Sequence, residues 1–162
     1  MITSPIFAQV PPFPRTGQAH AILHSLVNPP TVFLYGRLFE GTAQGEVYTI
    51  TFNTDRASPH LCIDIFKTHG RGPSPRSLPL LAARNCELIV WGGDVSPSTS
   101  HNDLQSLHIL STTSHYWTQH ECSGPSPTGV VSRSATVFKT SFMSSLAAPP
   151  TAHYTATSGG SI

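Results

Sequence analysis

Short apolar runs recur along this chain, each closed by proline, glycine, asparagine or serine before a helix could grow. Ala19, Ala21, Ile22 and Leu23 make the first run, and Val32-Phe33-Leu34-Tyr35 make a second that stops at Gly36. Farther on the chain alternates, with Val47, Thr49 and Thr51 opposed to Tyr48, Ile50 and Phe52, the period of two expected of a half-buried strand. A fourth run covers 61–66. The same order then returns: an apolar stretch over 78–83, then Leu88-Ile89-Val90-Trp91 stopping at Gly92, then Leu104, Leu107 and Ile109, then 116–122. Alternation slips at Gln105-Ser106 in this second passage, which leaves its third strand less sharply registered. The pattern predicts an all-β chain built from units of four short strands, with negligible helix over residues 12–138.

Proline-rich clusters punctuate the units: Pro12-Phe13-Pro14-Arg15, Gly72-Pro73-Ser74-Pro75-Arg76 and Gly124-Pro125-Ser126-Pro127. Their spacing is roughly 50–60 residues, a scale at which self-similarity signals a repeat architecture. The organisation read from these marks is a flexible N-terminal segment over 1–11, repeat units over 12–71 and 72–123, and a partial third unit over 124–138. A third strand-ending glycine is expected between 144 and 149, where the chain reads Ser144-Ser145-Leu146-Ala147-Ala148-Pro149. From 139 to 162 Ser, Thr, Ala, Gly and Pro dominate, and such a composition predicts a disordered low-complexity tail.

Composition narrows the functional classes. Charged residues are only 10% of the chain, against an average near ~25%, and 9 Lys and Arg balance 8 Asp and Glu. No basic field draws phosphate backbones, so nucleic acid is not an expected partner. No apolar stretch approaches the ~18 residues of a membrane span. The start of the chain has no early Lys or Arg and meets Pro5 at once, unlike a signal peptide. Cys62, Cys86 and Cys122 are odd in number and widely spaced, which suits free, buried thiols better than a disulfide framework or a metal knuckle. A cytoplasmic location follows from these readings.

Taken in order, Gly92-Gly93 after an apolar strand, Asn102-Asp103-Leu104 before the next, Trp117 near the unit's end and Gly124-Pro125-Ser126-Pro127 resemble the kelch repeat. The resemblance spans about residues 12–138 and implies a partial kelch-type β-propeller, two four-stranded blades and the start of a third. The double glycine is expected where crowded backbones and positive φ exclude a Cβ. Trp117 is expected to wedge between blades, and the Pro-Ser-Pro segments to hold extended links between them. Asn102 and Asp103 are suited to satisfy loop amides through their side-chain oxygens. In the first unit Gly36 is followed by Arg37, so the second glycine is lost, and Ile63 stands in the place of Trp117. Tyr48 keeps the aromatic of the third strand, while Gln105 is matched to it in the second unit.

Catalytic chemistry is sought without success. His101, His108 and His115 recur every seven residues, but in loop and strand they share no face, and the nine histidines read as scattered surface or loop residues. No metal, cofactor or catalytic residue is therefore assigned: H-E-x-x-H, paired Cys-x-x-Cys, Gly-x-Ser-x-Gly and the phosphate loop are all lacking. Copper radical oxidases of the galactose oxidase type share the propeller, but draw their ligands from several blades.

The function expected is a kelch-repeat protein-interaction module, adaptor or scaffold in type and not an enzyme. It would contact other proteins through the blade loops 37–45 and 94–101. Alternatives are a fragment of a galactose-oxidase-like oxidoreductase, or a truncated gene product without a function of its own. Because a blade needs neighbours on both faces, end faces exposing Trp91 and Trp117 are expected to drive self-association.

Overall fold

The computed structural model describes residues 16–24, 29–53, 60–95, 103, 106–121, 133–138, 141–146 and 155–156. The chain is all-β, with several sheets and none of them closed. Strands β1 (Ala19–Leu23), β2 (Thr31–Phe39), β3 (Thr42–Asn53) and β4 (His60–Ile65) form an antiparallel meander in chain order. Two residues, Glu40 and Gly41, connect β2 to β3 with φ of 48° and 76°. Positive φ at both turn positions matches the right-handed twist of the flanking strands, which makes a tight hairpin there.

A second meander follows. It runs through β7 (Leu80–Arg84), β8 (Glu87–Trp91), β10 (Leu107–Ser111) and β11 (Tyr116–His120), again antiparallel and in chain order. The short β5 (His69–Gly70) extends it beyond β11 in parallel. Asn85, a residue that tolerates left-handed backbone, turns the chain between β7 and β8 at φ 51°. A two-stranded ladder joins β6 (Arg76–Ser77) to β9 (Asp94–Val95). The third sheet comprises β12 (Arg133–Phe138), β13 (Ser141–Leu146) and β14 (Thr155–Ala156).

The first meander strand of each of the three larger sheets lies beside that of the next, β7 having β1 as one neighbour and β12 as another. Between the first two sheets sits the larger core, with Ala21, Phe33, Tyr35 and Val47 facing Leu81, Leu88, Val90, Leu110 and Trp117. Each large side chain buried there contributes about 1.5–3 kcal/mol. A smaller cluster of Leu80, Ala82 and Ile89, flanked by Trp91, Leu107 and Ile109, forms on the opposite face of the second sheet. Alternation explains how one sheet serves two cores, since successive side chains point to opposite faces.

Strands β13 and β14 lie within 139–162, and β13 pairs with β12 along its whole length from Phe138↔Ser141 to Arg133↔Leu146. Other expectations change. Residues 37–45 are not a loop but the end of the β2–β3 hairpin, because Arg37, in place of a second glycine, lets the ladder resume after a register shift at Gly36. Neither tryptophan stands on a wet face: Trp117 is buried between the sheets and Trp91 is half-buried. The large apolar side chains left exposed on the first sheet's far face are Ile22, Phe52 and Ile65. Cys62 is half-buried and Cys86 is exposed in the β7–β8 turn, so the buried-thiol reading fails for both, while Cys122 lies outside the described residues.

Candidate functional site

The segment Arg76 to Pro79 passes against Gly36, at the register shift within β2, and Gly93, just past the end of β8. A Cβ on Gly36 would come within 2.7 Å of the Arg76 carbonyl oxygen and 3.0 Å of the Pro79 ring. One on Gly93 would meet the Ser77 carbonyl oxygen at 2.8 Å. Gly36, Gly92 and Gly93 have φ of 70°, 65° and 93°, so the backbone conformation calls for glycine at all three and the space also does at Gly36 and Gly93.

Arg76 is fully buried and ties this region together. Its Nε donates to the Ser74 carbonyl at 2.9 Å, Nη1 donates to the Gly92 carbonyl at 2.9 Å, and Nη2 donates to Asp103 Oδ2 at 2.6 Å. The Ser74 amide donates to the same carboxylate oxygen at 3.3 Å. A buried guanidinium is tolerated only when a carboxylate and further acceptors replace its water, and this set does so. Tyr35, whose hydroxyl reaches toward the Pro73 carbonyl at 3.4 Å, lies against the cluster; burial drives its phenol well above its ordinary range.

His108 completes the cluster from β10. It is fully buried, with Nε2 3.2 Å from Asp103 Oδ1. The carboxylate alone would favour an imidazolium, but Arg76 stands closer to Asp103 and matches its charge. Burial, and after it repulsion from Arg76, hold His108 below its ordinary value of 6.5, so the neutral ring is the form present near neutral pH.

Of the residues singled out in the sequence, Gly36, Gly92, Gly93 and Asp103 gather around Arg76. Trp117 lies beside them: its ring sits 6.0 Å from that of Tyr35, and a Cβ on Gly72 would approach the indole to 3.0 Å. Tyr48 is apart, paired with Leu34 and Ile65 across the first sheet. Asn102, Gly124, Pro125 and Pro127 lie outside the described residues. Arg76, His108 and Tyr35 were missed. The signal available for Arg76 was an arginine following the proline cluster twice, as Pro14-Arg15 and Pro75-Arg76.

Two readings of the sequence are corrected. His108 is no surface histidine; it faces Val90 two residues before Gly92, the register position that Tyr48 holds against Leu34 two residues before Gly36. His108, rather than Gln105, is thus the partner of Tyr48 in the repeat. His115 also has a packed ring, 4.3 Å from Phe66, with Nδ1 3.1 Å from the Lys67 carbonyl. Among the described residues no three His, Cys, Asp or Glu gather as a metal ion would need. Nor is any helix among them long and apolar enough to cross a membrane.

A different surface lies at the end of the β2–β3 hairpin. Leu38 and Phe39 are exposed there, and the Arg37 guanidinium stands 5.1 Å from the Phe39 ring centre. The Leu38 amide donates to the Thr16 carbonyl at 2.8 Å, which fixes the hairpin to the chain ahead of β1. Compared with known proteins, the chain matches no family model and no curated protein.

Proposed function

We propose that the chain is a kelch-type partial propeller, two consecutive four-stranded blades and the start of a third, acting as a non-catalytic protein-interaction module in the cytoplasm. The observation that supports this reading most is the placement of β7 between β1 and β12, the first strand of each sheet beside that of the next. Successive blades around an axis have this relation. The shared core of the first two sheets and the positive-φ glycines at corresponding places, Gly36 within β2 and Gly92 after β8, agree with it.

The contact element in this reading is the hairpin end, where Leu38 and Phe39 present apolar area beside the Arg37 charge, a composition favoured at protein interfaces. The double substitution Leu38→Asp/Phe39→Asp tests it. Photo-crosslinking from the hairpin in cells should yield defined protein adducts that the double variant loses while its circular dichroism stays unchanged. Adducts that persist in the folded variant would refute the hairpin as the contact surface.

Self-association belongs to the same reading. Ile22, Phe52 and Ile65 share the face of the first sheet turned away from the second. Sedimentation velocity should show assembly that rises with concentration and weakens in Phe52→Lys. A monomer at all concentrations would remove this partner from the proposal.

A further inference from the structure

We propose that Arg76, Asp103 and His108 form an acid-sensitive latch, in which one buried carboxylate faces two groups able to carry positive charge and protonation of the second loosens the joint between the first two sheets. The geometry makes the cluster frustrated in acid. Asp103 gives Oδ2 to Arg76 at 2.6 Å and turns Oδ1 toward His108 at 3.2 Å, and both partners are fully buried. With His108 neutral, the arginine and the carboxylate cancel. With His108 charged, one carboxylate must answer two cations where water cannot.

Among the described residues the surroundings offer no second anion to the imidazole. Its strand neighbours are Val90 on β8 and Gln119 on β11, which carry no charge. Arg76 and, farther off, Arg71 oppose protonation, and Asp103 is the one described carboxylate acting on it. The Tyr35 hydroxyl on β2 stands by Arg76, and Glu46 on β3 bears on Tyr35. Among the described residues, neither imidazole nitrogen makes a well-aligned hydrogen bond beyond its contact with Asp103.

The position of the cluster converts this charge change into a structural one. Arg76 holds the Gly92 carbonyl just past β8 and Asp103 ahead of β10, while its own backbone lies against Gly36 at the register shift within the first sheet's β2. Loosening Arg76 therefore frees a joint shared by both sheets. The folded His108 takes up its proton at lower pH than the unfolded one. Its contribution to stability is present in full above about 6.5 and is lost as pH falls below that value through the lower folded one.

Urea unfolding of the full chain and of His108→Gln, at about pH 7.5 and about pH 5.5, tests the latch. Between the two conditions the wild-type unfolding equilibrium constant should rise more than that of the variant, by at most about tenfold. Equal responses of the two proteins would overturn the proposal. Should His108→Gln fail to fold, an imidazole NMR titration of the wild type decides: one ring staying neutral well below the others supports the latch, and all rings titrating together near 6.5 refutes it.

Discussion

The first two sheets are copies of one plan that end their second strand differently. In the first, Gly36 is followed by Arg37, the ladder resumes after a register shift, and β2 and β3 run on to the Glu40-Gly41 turn. In the second, Gly92 and Gly93 both take left-handed backbone, β8 stops, and the chain pairs briefly with β6 through Asp94 and Val95 before reaching Asp103. One residue decides between the outcomes. A side chain after the first glycine allows a projecting hairpin, whereas a second glycine lets the chain turn inward over Ser77 and Pro79. The extended copy gains exposed apolar surface, and the interrupted copy gains a buried ion cluster.

The sharpest way to break the comparison is to remove the feature that one copy has and the other lacks. Asp103→Ala leaves Arg76 buried without its carboxylate, and loss of one member of a buried pair costs about 3–5 kcal/mol. Arg84→Ala, which removes a half-exposed pair with Glu87 on the same sheet, should cost less than about 1 kcal/mol. Urea denaturation followed by tryptophan fluorescence reads both. Similar midpoints for the two variants would mean that the buried cluster does not anchor the second sheet.

Glycine substitutions compare the copies directly. Gly36→Ala and Gly93→Ala combine left-handed backbone with a clash against a carbonyl oxygen, at 2.7 and 2.8 Å, and each should lose about 2–3 kcal/mol. Gly41→Ala has the same backbone constraint at φ 76° but open space around the new methyl, so about 1 kcal/mol is expected. Thermal unfolding of the three variants separates backbone strain from crowding. If Gly41→Ala were as costly as the other two, the close approach to Arg76 and Ser77 would carry no weight.

Most strands could be read from the chain because each apolar run is short and bounded, and Val32 to Tyr35 and Leu88 to Trp91 are strands in the structure as in the pattern. The ion cluster could not be. A charged residue is ordinarily exposed, and nothing local marks Arg76 as buried; only its contact with Asp103, far along the chain, explains it. His108 escaped for a different reason. Starting the second unit's third strand at Leu104 matches Tyr48 to Gln105, but the connection from Gly92 to β10 is longer than the two-residue turn after β2, so the register moves on to His108. Unequal connections hide corresponding residues even where two meanders share one strand order.

The smallest expected effect lies where the second copy is the strained one. Ahead of the first sheet, Thr16 bridges Leu38 and is followed by Gly17 at φ 65°; ahead of the second, Ser77 pairs with Asp94 and is followed by Leu78 at φ 52°. The backbone thus makes the same left-handed step twice, once with glycine and once with leucine. The two steps meet, since the Leu78 amide donates to the Gly17 carbonyl at 2.5 Å. A side chain in this conformation costs about 1–2 kcal/mol, and the Leu78 side chain, 44% exposed, recovers only part of it through burial. Glycine removes that strain but gives up about 0.5–1 kcal/mol to the greater freedom of the unfolded chain. Leu78→Gly should therefore stabilise the protein slightly, by about 0.5 kcal/mol, and Gly17→Leu should destabilise it by about 1 kcal/mol. Urea midpoints would show the opposite signs. A clear loss of stability in Leu78→Gly would mean that the leucine makes a contact worth more than its strain, and that the two copies differ at this step by function rather than by drift.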